Sequence, residues 1–178
     1  QNEIAEVATQ IKMALESKYI RVKFDNRDKF KPGYKFNEYE LKGVPMRIAI
    51  GPKDLESGTV EIARRDTLKK EVISQDKVVD FIYSQLEKIQ SDLFQKALDF
   101  KESHITKVEN FEEFKNILDN KGGFILAHWD GTQETEEMIK KSTKATIRCI
   151  PLDSKEELGK CVFSGNPSKQ RVLFAKAY

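Results

Sequence analysis

The residue types that usually carry covalent or acid–base chemistry are sparse in this sequence. Its two histidines, His104 and His128, have no metal-ligand partner at helical or hairpin spacing. His104, in KESHITK after a long helical pattern, reads as a surface residue. His128 alternates with Leu126 and reads as a packed histidine on a strand. Asp25, Arg27 and Asp28 in DNRD have the types of an acid–base cluster, but at a strand end they read as a turn with a local ion pair. There is no phosphate-binding glycine loop, no G-x-G-x-x-G and no G-x-S-x-G. Cys149 and Cys161 stand in a chain whose first residues do not read as a secretory signal, which points to free thiols in a reducing compartment. A hydrolytic or editing activity therefore lacks a nucleophile–base pair, and the residues point to a binding module.

The signal for binding lies in uneven charge. The chain of 178 residues has a net charge of only +2, too little for a histone-like binder of nucleic acid. Residues 20–53, however, hold nine bases (Arg21, Lys23, Arg27, Lys29, Lys31, Lys35, Lys42, Arg47, Lys53) against four acids (Asp25, Asp28, Glu38, Glu40). RRDTLKK at 64–70 adds four more bases against Asp66. A basic face with embedded carboxylates can hold a phosphate backbone and also read bases; the same charges can simply solvate a surface.

These residues must be positioned by a modest set of elements. Hydrophobic residues make up 39% and charged residues 34%, and no apolar run approaches the roughly 18 residues of a membrane helix. Ile4, Val7, Ile11 and Leu15 predict a helix over 3–17, and YIRVKFD predicts a half-buried strand over 19–25. A short helix is expected within 31–42, closed by Gly43, and a strand over 44–51 with Arg47 and Ala49 opposite Met46 and Ile48. GPKDLESG (51–58) reads as a loop and TVEIARRD (59–66) as a strand. Val78, Ile82, Leu86, Ile89, Leu93, Ala97 and Phe100 mark one long helical stripe, ending an α/β unit near residue 100. A smaller unit follows, with a helix around Phe111, Phe114, Ile117 and Leu118, a strand at 122–129, a charged helix at 134–144 and a strand at 146–153. CVFS and RVLFAKAY flank GNPSKQ as a hairpin or long turn. The opening on a helix rather than a strand suggests that a first strand belongs to a larger parent protein.

DNRDKFKPGYKFNEYELKGVPMRIAIGPKDLESG (25–58) resembles prolyl-tRNA synthetases of the archaeal/eukaryote-like type, and TIRCIPLD, GNPSKQ and the terminal VLFAKAY follow in that family's order and spacing. The likeness runs from about Ala5 to Tyr178. It implies an α/β (α+β) fold: a mixed-sheet class II anticodon-binding domain over 1–100, its first strand apparently missing, then a small α/β C-terminal domain over 101–178. It implies a ligase that joins proline to its tRNA with ATP and Mg, its catalytic domain absent from this chain, so that the fragment alone is inactive and carries no cofactor. The implied partners are proline tRNA, the catalytic domain of the same polypeptide and, in the whole enzyme, a second subunit in a homodimer, all in the cytoplasm. A free-standing module that binds RNA or another protein is the alternative reading.

The same resemblance assigns sites. Positions matching Glu40, Arg47, Lys53, Asp54 and Lys69 read the two guanines shared by proline anticodons. A carboxylate can accept from guanine N1–H and the exocyclic amine together, while arginine or lysine can donate to O6 and N7. Arg64 and Arg65 are expected on the tRNA backbone, or else merely covering the sheet surface. The carboxylate of Tyr178 is expected to point toward the catalytic domain. Many family members bind zinc in the C-terminal domain, but the four ligand positions here hold Asp130, Thr135, Cys161 and Ser164, so no metal is expected. Asp130 is expected instead to cap the helix near Thr132, and Ser164 to bond the GNP turn. Cys149 is expected to be a small buried residue.

Overall fold

The structure is a computed structural model and describes residues 2–177. The chain divides into two compact units, 1–95 and 96–178, with the division inside a long helix.

The first unit opens with α1 (Asn2–Ser17), whose Leu15 is buried and whose Ile11 packs beside it. The strand expected over 19–25 is not formed. Its alternation survives, with Ile20 and Val22 against the core and Arg21 and Lys23 exposed, but no neighbouring strand bonds to it among the described residues. Alternation assigns faces; a strand also needs a ladder partner. Helix α2 (Pro32–Leu41) starts on a proline, whose fixed φ suits the first helical position, and closes at Gly43, where φ is +79°.

Strand β1 (Met46–Ala49) follows. The expected loop at 51–58 contains a short helix, α3 (Pro52–Glu56), started by Pro52 and held by the Asp54 carboxylate, which accepts the Gly51 N–H at 2.8 Å. Strands β2 (Thr59–Arg64) and β3 (Lys70–Ser74), the latter unanticipated, complete an antiparallel sheet in the order β1-β2-β3. A 3-10 turn leads into α4 (Val78–Ser103). Leu15, Val60, Ile62, Val78 and Ile82 form the core. The apolar stripe of α4 is buried at Val78, Ile82 and Ile89, whereas Leu93 and Phe100 on the same stripe are exposed.

The second unit is a mixed sheet with two helices. Strand β4 (Ile105–Lys107) runs parallel to β5 (Phe124–His128), and helices α5 (Phe111–Asn120) and α6 (Gln133–Thr143) follow the two strands in turn. Asn110 and Thr132 cap these helices, their side-chain oxygens accepting from Glu113 N and Thr135 N. Strand β6 (Ala145–Cys149) stops short of the expected 153, because Pro151 cannot donate to a ladder. It carries a bulge between Ile147 and Cys149, and Cys149 at its end is exposed rather than buried.

The expected terminal hairpin is replaced by two pairings. Short strands β7 (Gly159–Lys160) and β8 (Pro167–Ser168) pair with each other, and residues 161–164 form no strand. RVLFAK forms β9 (Arg171–Lys176), which inserts between β5 and β6 in the sheet order β4-β5-β9-β6. Phe114 of α5 meets Phe174 of β9 edge to face at 5.2 Å, at the centre of a core that includes Val108, Ile125, Ile139 and Val172.

Candidate nucleic-acid interface

One face of the first sheet covers the core and the other is open. The register aligns Arg47 with Ala63 and Ala63 with Lys70, and Ala49 with Glu61 and Glu61 with Val72. Strand alternation therefore sets Arg47, Glu61 and Lys70 on the open face, with alanines and Val72 between them.

Helix α2 contributes from the side. Phe36 and Glu40 are one turn apart, so they share a helix face. Both reach Arg47: the Phe36 ring centroid lies 3.6 Å from the guanidinium carbon, and Arg47 Nη1 donates to Glu40 Oε1 at 3.1 Å. On its other side Arg47 Nη2 lies 3.9 Å from Glu61 Oε1, an ion pair too long for a hydrogen bond. Lys70 Nζ holds the same Glu61 oxygen at 3.1 Å. The buried Arg47 Nε has no hydrogen-bond partner. A planar donor between two carboxylates, stacked on an aromatic ring, is suited to the edge of a flat, hydrogen-bonding ligand such as a nucleobase.

The other expected readers are placed less uniformly. Lys53 is exposed on α3, and Asp54 beside it is engaged in starting that helix. Lys69 is exposed and stands opposite Arg64, one register step beyond Lys70, so it is Lys70 that shares the face of Arg47. Glu61 and Lys70 were not singled out from the sequence. The signal was present in TVEIARRD, where Glu61 alternates with the core residues Val60 and Ile62.

Of the two arginines expected on the tRNA backbone, Arg65 is exposed. Arg64 is buried at 7% exposure. It forks onto Asp66 at 3.1 and 2.7 Å and also donates to Asp92 at 2.9 Å and Gln85 at 2.9 Å. With Nε, Nη1 and Nη2 so engaged it ties β2 to α4, and it has no exposed edge for a phosphate. The Asp66 hydrogen bond holds the Arg64 guanidinium well above its ordinary value and the Asp66 carboxyl below its own.

Much of the basic excess in 20–53 is likewise neutralised locally. Arg27 bridges Asp25 at 2.7 Å and Glu38 at 2.6 Å, and Lys42 pairs with Glu38 at 2.5 Å. The Arg27 hydrogen bond keeps the Asp25 carboxyl well below the usual range. Arg21, Lys23, Lys29, Lys31 and Lys53 are exposed and make no ion pair among the described residues, Lys29 lying over the Phe30 ring, so they are the unneutralised cations of this segment.

In the second unit three of the four degenerate metal positions, Asp130, Thr135 and Ser164, meet at one carboxylate, and the fourth, Cys161, is a buried free thiol. Asp130 Oδ2 accepts from Thr135 Oγ1 at 2.8 Å, Ser164 Oγ at 2.6 Å and Asn166 Nδ2 at 3.3 Å. Its Oδ1 accepts from Thr132 N at 3.2 Å and Thr132 Oγ1 at 2.9 Å. Thr132, not Asp130, is the helix cap; Asp130 holds the cap in place. Burial pushes the Asp130 carboxyl up, but the hydrogen bonds from Ser164, Thr135 and Thr132 outweigh it and bring it down to about 2. One carboxylate, one buried thiol and two hydroxyls that donate to the carboxylate do not fit a tetrahedral zinc site, which wants thiolate or imidazole donors. Among the described residues no group of three or more His, Cys, Asp or Glu could hold a metal ion.

A serine–histidine–glutamate line is also present. Ser168 Oγ lies 3.1 Å from His128 Nδ1, and His128 Nε2 lies 3.8 Å from Glu157 Oε1. Ser168 is only 4% exposed and donates its proton to Gln170 O at 2.9 Å, so the hydroxyl is spent structurally and has no access to a substrate. Arg171, buried nearby, donates to Glu157, to the Val108 carbonyl and to both Glu109 oxygens. Tyr178, expected to face a catalytic domain, lies outside the described residues. No helix among them is long and apolar enough to cross a membrane.

Comparison with known proteins agrees with this division of labour. The family described as anticodon binding domain matches residues 1–85, and that described as prolyl-tRNA synthetase, C-terminal, matches residues 111–178. The chain is 61% identical over 176 residues to the proline–tRNA ligase of Flavobacterium johnsoniae, covering 99% of this chain and 36% of that protein. It is 67% identical over 159 residues to that of Flavobacterium psychrophilum, covering 89% and 32%. It is 57% identical over 176 residues to that of Porphyromonas gingivalis, covering 99% and 36%. The chain thus spans about a third of the length of these relatives. It belongs to the prolyl-tRNA synthetase family and corresponds to that family's anticodon-binding and C-terminal regions.

Proposed function

We propose that this chain supplies anticodon recognition to a cytoplasmic proline–tRNA ligase, reading the guanines of proline tRNA on the open sheet face of its first unit. The arrangement that carries the reading is Arg47, stacked on Phe36 and shared by Glu40 and Glu61, beside Lys70. Glu40 accepts from guanine N1–H and the exocyclic amine, and Arg47 donates to O6 or N7. Lys53 and Lys69 extend the donor set, and Asp54 keeps the turn before Lys53 in shape. Arg21, Lys23, Lys31 and Arg65 are the phosphate contacts; Arg64 is not among them.

ATP- and Mg-dependent activation of proline, transfer to the tRNA and assembly as a homodimer belong to the rest of the ligase. The second unit docks on the catalytic domain, and it is held together without zinc.

The test is binding of this chain to an anticodon stem-loop of proline tRNA, and proline-dependent ATP–pyrophosphate exchange by the same preparation. Salt-dependent binding without exchange activity is expected. Arg47→Ala and Glu40→Ala each weaken binding by roughly 1–3 kcal/mol, the usual worth of a base contact. Unchanged binding by both variants, or exchange above background, overturns the reading.

A further inference from the structure

Glu61 stands near the centre of the open face and is shared by the cations on either side of it. Arg47 has one guanidinium and two carboxylates within reach: Glu40 at hydrogen-bond distance, 3.1 Å, and Glu61 at 3.9 Å. Glu40 Oε1 is therefore already engaged. Turning the carboxylate so that both oxygens face a guanine edge draws that oxygen away from Arg47, whose side chain is only 18% exposed. A guanidinium so placed and left without an anion is costly.

We propose that Glu61 is a positioning residue for anticodon reading: it takes over the Arg47 guanidinium when Glu40 turns to the base. The inference rests on the anticodon role proposed above for Glu40 and Arg47. The geometry makes the exchange a short movement. Phe36 covers the guanidinium plane at 3.6 Å, so Arg47 moves within that plane without leaving its stack. The Arg47 Nε has no hydrogen bond to break. Lys70 holds Glu61 from the far side at 3.1 Å and keeps the receiving carboxylate in place. Ala49, Ala63 and Val72, which share the face, bring no competing charge.

The inference has a sign opposite to simple electrostatics. Removing a negative charge from a face that binds a polyanion tightens binding on charge alone. If Glu61 is the receiving counter-ion, its removal deepens the Arg47–Glu40 pair and weakens binding instead.

The experiment measures anisotropy of a labelled proline anticodon stem-loop against this chain, and against E61Q, E61D, E40Q, R47A and the E40Q/E61Q double variant. A second loop carries inosine, which lacks the exocyclic amine, in place of both guanines. E61Q is expected to weaken binding of the guanine loop about tenfold, within the usual range of coupling between interacting groups. It is also expected to reduce the preference for guanine over inosine while leaving the thermal midpoint unchanged. E61D recovers part of the loss. In the E40Q background E61Q costs nothing, because there is no longer a carboxylate to release. Binding by E61Q as tight as the parent or tighter, or an equal loss with and without Glu40, overturns the inference. If E40Q and R47A weaken binding and E61Q does not, Glu61 alone is excluded. If E40Q and R47A bind like the parent, or the parent does not bind at low salt, the anticodon reading fails and the role of Glu61 with it.

Discussion

Asp130→Asn is expected to loosen the second unit. The carboxylate receives Thr132 N, Thr132 Oγ1, Thr135 Oγ1, Ser164 Oγ and Asn166 Nδ2, which joins the turn before α6 to the loop between β7 and β8. In the milder orientation the new amide nitrogen replaces Oδ2. The hydroxyls of Thr135 and Ser164 can then rotate to accept, but Asn166 meets donor with donor, and the remaining bonds lose their charge. Hydrogen bonds to charged groups are worth roughly 1.5–3 kcal/mol each but add poorly, so a net loss of about 2–3 kcal/mol is expected. For a unit of this size that lowers the midpoint by roughly 10–20 °C. The single tryptophan, Trp129, donates to Thr132 O at 3.1 Å beside the site, so its fluorescence follows this unit's unfolding. Because the Asp130 carboxyl is held down at about 2, its contribution is complete above the ordinary carboxylate value and fades as pH falls toward about 2. The variant therefore lacks that part of the acid transition. A midpoint within about 2 °C of the parent, or an unchanged acid limb, would refute the reasoning.

Arg64→Ala should destabilise the first unit by roughly 3–5 kcal/mol in urea unfolding, since it strands the largely buried Asp66 carboxylate, and at a temperature where it stays folded its RNA-binding salt slope should match the parent's. Gly159→Ala should destabilise the second unit, because the added carbon lies 2.3 Å from Nε2 of the buried His128; parent-like unfolding would show that the ring can move aside. Elemental analysis of the purified chain should find no stoichiometric zinc, and a chelator should leave the Trp129 unfolding curve where it was; zinc bound at Cys161 would contradict the hydrogen-bonded arrangement.

Helices were the most legible part of the sequence. The spacing from Ile4 to Leu15 and from Val78 to Ile89 gave α1 and the first half of α4, and Pro32 with Gly43 bracketed α2. What alternation could not supply was a partner. Residues 20–24 alternate as a strand should, yet none pairs with them, while Lys70–Ser74, mostly exposed along an edge, carried too little pattern to be noticed. RVLFAK follows a turn and so has the local pattern of half a hairpin; the neighbours of β9, β5 and β6, lie far back in the sequence. Arg64 differs from expectation for a related reason. Its type suggests a phosphate contact, but Gln85 and Asp92, which bind it, come from α4, more than twenty residues on. The grouping of Asp130 with Thr135 and Ser164 is legible only through the family's metal positions, whereas alternation sets Glu61 on the open face and the register is needed to bring it beside Arg47.

The position of β9 has a consequence for synthesis on the ribosome. It follows every other strand in chain order, yet it lies in the middle of the sheet and bonds β5 on one side and β6 on the other. Until it emerges, β5 and β6 each offer an unpaired edge, and the buried faces of Ile125, Ala127 and Ala145 have no cover from Val172 and Phe174. At roughly 5–20 residues per second that exposure lasts seconds, long compared with collapse of the segments already made. The second unit therefore completes its fold late and all at once, and its nascent form is the state in which chaperone capture or strand mispairing should concentrate.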